Sequence, residues 1–169
     1  MSYRLGRPED RSRLTQILED AIQFLADQGI DQWQNASVSI NDLDQAIADQ
    51  EGYVWEDSKG QVQAFWVLAA HDPYYQTLSS GNWRSTAPYL AIHRFMVAKE
   101  SKGQGIAQQI FKAIEEISRD QGVNTLRVDT HPDNRIMQHL ILKAGFSLTG
   151  ETVVGDGGRR LTYDKLLDR

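Results

Sequence analysis

The sequence predicts an α/β (α+β) protein with a central sheet of about seven strands flanked by about four helices. Apolar residues alternate or run continuously in some short segments, as in strands, and recur every three or four positions in others, as in helices. The resulting order of elements is β-α-α-β-β-β-α-β-α-β-β. The chain has 169 residues and shows no repeats, low-complexity tracts or linker, so we expect a single domain spanning 1–169.

Turn residues and helix caps set the boundaries of these elements. Pro8 and the two acids after it favour the start of a helix that Gly29 ends, and Gly145 ends the last helix. The turn Asp57-Ser58-Lys59-Gly60 indicates a hairpin. Strands are predicted at 2–7, 52–57, 61–70, 89–97, 125–130, 146–154 and 159–166. Helices are predicted at 8–29, near 41–50, at 104–120 and after a cap at Asp133 or Asn134.

Polar residues distinguish two of the strands. Strand 89–97 is almost entirely apolar apart from His93 and Arg94, so we expect it to be central and buried on both faces. Strand 125–130 instead alternates Leu126 and Val128 with Arg127 and Asp129. The segment 71–88 is a long loop for a compact domain, and loops of that length are often functional.

Composition and charge exclude several classes of protein. The chain has no cysteine, which excludes disulfides, thiolate metal sites and a cysteine nucleophile and fits a reducing compartment. Charged residues stand near the N-terminus where a signal peptide needs an apolar run, and no stretch approaches the apolar length of a membrane span. A net charge of −5 argues against general affinity for nucleic acid. We therefore expect a cytoplasmic protein with no membrane or nucleic-acid partner.

The segment 95–107 is the most informative in the chain. It is predicted as a strand end, a polar loop with glycines at Gly103 and Gly105, and the first turn of a helix. Such a loop directs backbone N–H groups and the positive end of the helix dipole at one spot, which suits a phosphate or pyrophosphate. A P-loop is excluded by its missing motif, and Gln108 stands where a dinucleotide fingerprint requires its third glycine. A plain strand-to-helix corner remains the alternative.

The element order and two motifs resemble the GNAT superfamily of acyl-CoA-dependent N-acetyltransferases. Lys102-Gly103-Gln104-Gly105-Ile106-Ala107 matches the family's pyrophosphate motif Gln/Arg-x-x-Gly-x-Gly/Ala, with lysine in the first place. A second family pattern, Asn-x-x-Ala-x-x-Leu-Tyr-x-Lys-x-Gly-Phe, is met by Asn134, Leu140, Lys143, Gly145 and Phe146. The resemblance implies a mixed, mostly antiparallel sheet whose fourth and fifth predicted strands splay apart.

The resemblance also implies acetyl-CoA as cosubstrate and gives roles to particular residues. A neutral amine attacks the thioester directly, and the amide of Phe95 would meet the thioester oxygen as the oxyanion develops. Met96 and Val97 would pair with the pantetheine arm, as an added strand does. Residues 102–107 would hold the pyrophosphate. The resemblance further places Asn134, Met137 and Ile141 against the cofactor.

Two family positions differ in this sequence, and His93 then becomes the candidate base. Ala91 stands where some members have a catalytic Glu, and Ile141 stands where many have a Tyr that acts as general acid. His93 coincides with a strand histidine that arylalkylamine acetyltransferases of this superfamily use to deprotonate the amine. An unperturbed histidine, with a pKa near 6.5, suits that role. A buried, hydrogen-bonded core histidine is the other interpretation.

The acceptor is expected to be an amine of a small molecule, or of a peptide or protein. Four aromatic residues fall in the two loops that usually form the acceptor side of this fold, and they suggest a pocket able to hold an amine by cation–π contact. These residues are Trp33, Tyr74, Tyr75 and Trp83. No metal site is expected, because the four histidines lack ligand spacing.

Two other classes of function stay open. A non-catalytic acyl-CoA sensor or regulatory protein would fit Ala91 and Ile141, and a plain interaction module would bind no acetyl-CoA at all. The intact pyrophosphate loop and His93 favour the enzyme. The final hairpin is of a kind that can pair or exchange between subunits, so a homodimer is compatible with the sequence.

Overall fold

The structure is a computed structural model that describes residues 2–155 and 157–168. Its strands are β1 (Ser2–Leu5), β2 (Gly52–Glu56), β3 (Val62–Ala69), β4 (Ser80–Gly81), β5 (Leu90–Val97), β6 (Thr125–Thr130), β7 (Ser147–Val153) and β8 (Arg159–Leu166). Its α-helices are α1 (Arg11–Asp27), α2 (Ile40–Ala48), α3 (Ile106–Asp120) and α4 (Arg135–Lys143). Short 3-10 turns occupy Pro8–Asp10, Pro73–Tyr75 and Lys99–Ser101.

The strands form one mostly antiparallel sheet in the order β1-β2-β3-β5-β6-β8-β7-β4. This confirms the predicted α/β fold class, with one strand more than the sequence predicted. The additional strand, β4, consists of two residues inside the predicted loop 71–88 and pairs with β7. A two-residue strand is too short to show a periodic pattern of its own.

The described chain divides into two compact units. The first comprises the residues up to Leu68 together with Arg94–Ile106, and the second comprises Ala69–His93 together with the residues from Ala107 onward. Strand β5 contributes residues to both. The expectation of a single domain remains a prediction.

The core of the first unit lies between α1, α2 and the β2–β3 hairpin. α1 begins after the Pro8–Asp10 turn, and its buried residues, Leu14, Ile17, Leu18 and Leu25, follow the helical spacing seen in the sequence. Ser39 and Asp42 form a capping box that starts α2. Most of the side chains of these elements that pack together are fully buried, and Met96 and Ala98 at the end of β5 join the same cluster.

In the second unit, β5 and β6 pair in parallel over a short register. That register runs from Leu90–Leu126 to Ile92–Val128, while β6 continues to Thr130 and stays paired with β8 throughout. His93 follows directly after the last residue of β5 that pairs with β6. The predicted divergence of these two strands agrees with this short register.

Two glycines meet where β4 pairs with β7. A Cβ atom placed on Gly81 would lie 2.0 Å from the backbone oxygen of Thr149, and one placed on Gly150 would lie 2.0 Å from that of Ser80. Gly81 also has a φ of 75°. Only the absence of a side chain on both residues lets these two backbones approach so closely.

Candidate functional site

His93 on β5 forms an ion pair or hydrogen bond with Asp72. The two atoms, His93 Nε2 and Asp72 Oδ2, lie 2.9 Å apart. The side chains are 26% and 9% exposed, so the pair is partly shielded while His93 keeps a surface open to solvent. This contact fits both interpretations of His93, a general base and a hydrogen-bonded core histidine, so its role as base remains a prediction.

Asp72 is held in place by the turn it begins. Its Oδ1 atom accepts a hydrogen bond from the backbone N–H of Tyr74 at 2.7 Å, as an N-cap residue does. Its own backbone N–H donates to the hydroxyl of Tyr89 at 3.0 Å. One carboxylate oxygen is therefore used by the turn, and the other faces His93.

Asp72 is ionised under ordinary conditions. Burial disfavours its charge, but the hydrogen bond and charge of His93 and the Tyr74 N–H outweigh burial and hold the pKa of Asp72 below its usual value. An ionised carboxylate only accepts hydrogen bonds, so the proton of a neutral His93 lies on Nε2. Its Nδ1 atom then carries the basic lone pair.

A second carboxylate, Asp129 on β6, lies beside this pair. Its Oδ2 atom accepts a hydrogen bond of 2.6 Å from the hydroxyl of Tyr75, which is only 1% exposed. Burial raises the pKa of Asp129 above its usual value, and the nearby His93 and the Tyr75 hydroxyl offset only part of this effect. Burial, followed by the charge of Asp129, raises the pKa of Tyr75 well above its usual range.

Three residues of the types that bind metal ions lie close together, namely Asp72, His93 and Asp129. Their candidate ligand atoms all lie within 4.8 Å of one another. Two of these residues already hydrogen-bond each other, and the third accepts from Tyr75. The expected absence of a metal remains a prediction.

The predicted pyrophosphate loop has the backbone conformation that its glycines allow. Gly103 and Gly105 have φ values of 78° and 76°, and both are exposed. Within the part of the chain that the structure describes, a Cβ atom on either glycine would meet no atom within 4 Å. The space over the loop is therefore open, and the positive φ is the reason these positions favour glycine.

Residues before and between the two glycines anchor this loop within the first unit. Ser101 donates a hydrogen bond of 2.6 Å from its hydroxyl to the buried side chain of Gln63. Gln104 donates to the backbone oxygen of Glu100 at 3.3 Å. Lys102 places its ammonium 3.5 Å above the ring of Phe24. Burial of this ammonium lowers the pKa of Lys102, and the charge of Asp20 partly opposes it.

The strand that leads to the loop contains an unusual backbone conformation. Arg94 lies in the left-handed region with a φ of 52°, which is uncommon for a residue other than glycine. Left-handed residues interrupt the alternation of a strand, so side chains before and after Arg94 do not follow one alternating pattern. Phe95 and Val97 are partly buried, and Met96 is buried in the first unit's core.

The predicted contacts from α4 run from its N-cap to its last turn. Asn134 is the N-cap and accepts a hydrogen bond from the backbone N–H of Met137 at 3.1 Å. Ile141 is fully buried and Met137 is partly buried. Ile106 is buried at the start of α3, whereas Ala107 after it is partly buried. Contact of these residues with a cofactor remains a prediction.

The structure gives the four predicted acceptor residues different surroundings. Tyr75 is buried and its ring centroid lies 5.8 Å from that of His93. Trp83 packs against Tyr75 at 5.0 Å and donates from its indole to the Tyr75 backbone oxygen. Tyr74 is 42% exposed. Trp33 belongs to the first unit, where it packs against the core in a left-handed conformation.

Sequence reasoning assigned no role at the site to Asp72, Tyr89 or Arg127. Asp72 precedes Pro73 and has the sequence signature of a turn cap, which conceals its contact with His93. Arg127 and Asp129 occupy the polar positions of an alternating strand, which usually face solvent. The sequence did contain one signal of this site: the long loop 71–88 carries both an acidic residue and several aromatic residues.

Comparison with known proteins gives one consistent result. A model of the Acetyltransferase (GNAT) family matches residues 15–146. A GNAT-family acetyltransferase structure from Streptococcus agalactiae is 26% identical, with a TM-score of 0.91 over 99% of this chain and 96% of that one. No curated protein matches the sequence significantly.

Two further solved structures are similar in fold. A ribosomal-protein-alanine N-acetyltransferase from Brucella melitensis is 19% identical, with a TM-score of 0.71 over 99% of this chain and 100% of that one. A putative acetyltransferase from Salmonella typhimurium, solved with its cofactor acetyl-CoA, is 16% identical, with a TM-score of 0.70 over 99% and 94%. At these identities the likeness concerns the fold alone.

Proposed function

This chain belongs to the GNAT family of acetyltransferases, and from that premise we propose that it transfers the acetyl group of acetyl-CoA to a primary amine by direct attack. The observation that supports the finer part of the proposal is the 2.9 Å contact between His93 and the ionised Asp72. A histidine held by a carboxylate is suited to take a proton from an amine.

None of the described helices is long and apolar enough to cross a membrane.

The reaction requires a neutral amine, a stabilised oxyanion and a path for each proton that the nitrogen loses. His93 takes a proton from the bound ammonium through Nδ1, directly or through a water, because Nε2 already donates to Asp72. The amine nitrogen then bonds to the thioester carbon, and the amide of Phe95 donates to the developing oxyanion. The carbon–sulfur bond breaks as the nitrogen loses its second proton to the leaving CoA thiolate, so the products are the amide and free CoA thiol.

The cofactor's pyrophosphate binds at residues 102–107 in this proposal. Support comes from the open space over Gly103 and Gly105 and from the backbone N–H groups at the start of α3. Lys102 adds a positive charge there, and its ammonium packs over the ring of Phe24.

The acceptor is proposed to be an amine of a small molecule or of a peptide. Asp72 and Asp129 give the surroundings of His93 an acidic character that suits an incoming ammonium group. Tyr75 and Trp83 pack against each other within the loop 71–88 and do not present exposed rings to an acceptor. Tyr74 is exposed enough to contact an acceptor.

The proposal is tested by measuring release of free CoA from acetyl-CoA in the presence of a panel of amines. Because the chain has no cysteine, a thiol reagent titrates only the CoA that the reaction releases. We expect turnover with at least one amine in the panel. Tight acetyl-CoA binding by calorimetry without turnover for any amine would instead support an acyl-CoA sensor.

The role of His93 is tested by His93→Gln, which keeps hydrogen bonding but removes basicity. We expect kcat to fall by roughly 10²–10⁴-fold while acetyl-CoA affinity hardly changes. The matched control is His139→Gln, since His139 is an exposed histidine on α4. A folded His93→Gln enzyme with near-normal turnover would rule out His93 as the base.

A further inference from the structure

Arg127 is a buried cation in an unusual environment. It lies on β6 and is 6% exposed, and its guanidinium carbon lies 4.2 Å from the ring of Trp83 and 4.0 Å from that of Tyr89. Its terminal nitrogen donates to the backbone oxygen of Ser85 at 2.8 Å. Its Nε atom has no hydrogen-bond partner among the described residues.

Retaining such a group in the interior is unfavourable. Burial lowers the pKa of Arg127, and nearby Tyr89 and Asp164 oppose this effect only in part. The neighbouring carboxylate of Asp164 is itself bonded to Arg84 at 2.7 Å. Two aromatic faces and one backbone oxygen therefore take the place of the ion pair that a buried arginine usually has.

Both rings that enclose Arg127 lead to the residues around Asp72. The Tyr89 hydroxyl accepts the hydrogen bond from the Asp72 backbone N–H. The Trp83 indole donates to the backbone oxygen of Tyr75 at 2.8 Å. Arg127 thus lies between the two side chains that fix the start of the loop, one holding Asp72 and the other holding Tyr75.

We propose that Arg127 is a positioning residue for the Asp72–His93 pair, because its guanidinium holds Tyr89 and Trp83 in the places from which they fix the turn that carries Asp72. This inference rests on the proposed function, since it assigns a role to Arg127 in the proton transfer by His93. Arg127 touches neither substrate nor His93. It determines how accurately Asp72 orients the imidazole.

The variants that test this role are Arg127→Met and Arg127→Lys. Methionine fills the space between the rings without charge, and lysine keeps the charge but loses the planar surface that stacks on both rings. We expect Arg127→Met to lower kcat by about 10-fold to 10²-fold, as small misplacements of catalytic groups do. Arg127→Lys should recover part of this loss, and the acetyl-CoA affinity of both should remain near that of the wild type.

A double-mutant cycle with Asp72→Asn separates positioning from a general structural role. If Arg127 acts through Asp72, adding Arg127→Met to the Asp72→Asn enzyme should change kcat by no more than about two-fold, because the pair is already impaired. If the two residues act independently, the full loss should appear again. Ile114→Val, a buried change in α3, serves as the control for lowered stability alone, and Arg119→Met serves as the control for lost charge.

The outcomes distinguish the inference from the proposed function. Unchanged kcat in His93→Gln and Asp72→Asn would overturn the assignment of the pair and this inference with it. The inference alone would be overturned if His93→Gln and Asp72→Asn lower kcat while a folded Arg127→Met enzyme keeps normal kcat. Additive losses of kcat in the double-mutant cycle would also overturn the inference alone. If Arg127→Met fails to fold, Arg127→Lys is carried through the same cycle.

Discussion

Replacing Tyr75 by phenylalanine removes one hydroxyl group from a buried contact and leaves the packing of the ring intact. That hydroxyl donates to Asp129 at 2.6 Å, and Tyr75 is almost wholly buried. Water therefore has little access to replace the lost donor. The variant isolates what a single hydrogen bond to a buried carboxylate contributes to stability.

The size of the effect follows from the charge on the acceptor. A hydrogen bond to an ionised group contributes about 2 kcal/mol, and one between neutral groups contributes about 1 kcal/mol. For a chain of this length, each kcal/mol lowers Tm by about 2–4 °C. We therefore expect Tyr75→Phe to lower Tm by about 4–8 °C where Asp129 is ionised, and by about half as much where it is protonated.

The pH dependence follows from the direction of the Asp129 pKa. Burial raises this pKa in the folded chain, so the folded state binds the proton more tightly, and stability from Asp129 is lost as the pH rises through the raised pKa. The Tyr75 hydroxyl opposes that loss because it stabilises the ionised form. Its removal should therefore destabilise the protein more at pH 8 than at pH 4.

The assay is thermal unfolding of both proteins at a series of pH values, with Tyr163→Phe as matched control. Tyr163 is also buried, and burial is the cause of its raised pKa. Its variant should show a small difference that does not vary with pH. A Tyr75→Phe loss that is equal at pH 8 and pH 4, or no larger than the control's, would refute the reasoning.

Three further changes test the loop and the largely buried ion pair between Arg4 and Asp10. Gly105→Leu should abolish acetyl-CoA binding in calorimetry and cost about 1–2 kcal/mol of stability from its positive φ; unchanged affinity would remove the loop from the site. Lys102→Ala should weaken acetyl-CoA binding by about 1 kcal/mol or less, and less at high salt; a large salt-independent loss would contradict this. Burial opposes ionisation of Asp10, but Arg4 outweighs burial and lowers the pKa of Asp10. Asp10→Asn should therefore lower Tm at pH 7, and this difference in Tm should disappear as the pH falls through the Asp10 pKa.

Local patterns were enough to predict the long elements but not the pairing of the shortest strand. α1 and the β2–β3 hairpin follow from periodicity, caps and a turn that lie within the elements themselves. β4 depends on contact with β7, a partner far along the chain, and two residues carry no period. β4 therefore forms only because the folded chain brings it next to β7.

The candidate site shows the same division between local and distant information. The hypothesis that His93 is a base comes from its coincidence with a histidine of related acetyltransferases, within an otherwise apolar strand. Its partner Asp72 satisfies a local turn and gives no further signal. The alternation along β6 puts Arg127 and Asp129 on the face opposite Leu126. That face is covered by the aromatic loop instead of water, which a single strand cannot reveal.

The contact between Gly81 and Gly150 limits which sequences can encode this protein. In a library with every substitution at every position, most loop residues of 71–88 should accept several replacements. Positions 81 and 150 should accept none, since even alanine would place a methyl group 2.0 Å from a backbone oxygen. Natural drift can therefore remodel the loop's outer surface, provided that these two positions, which carry no side chain, are left as they are.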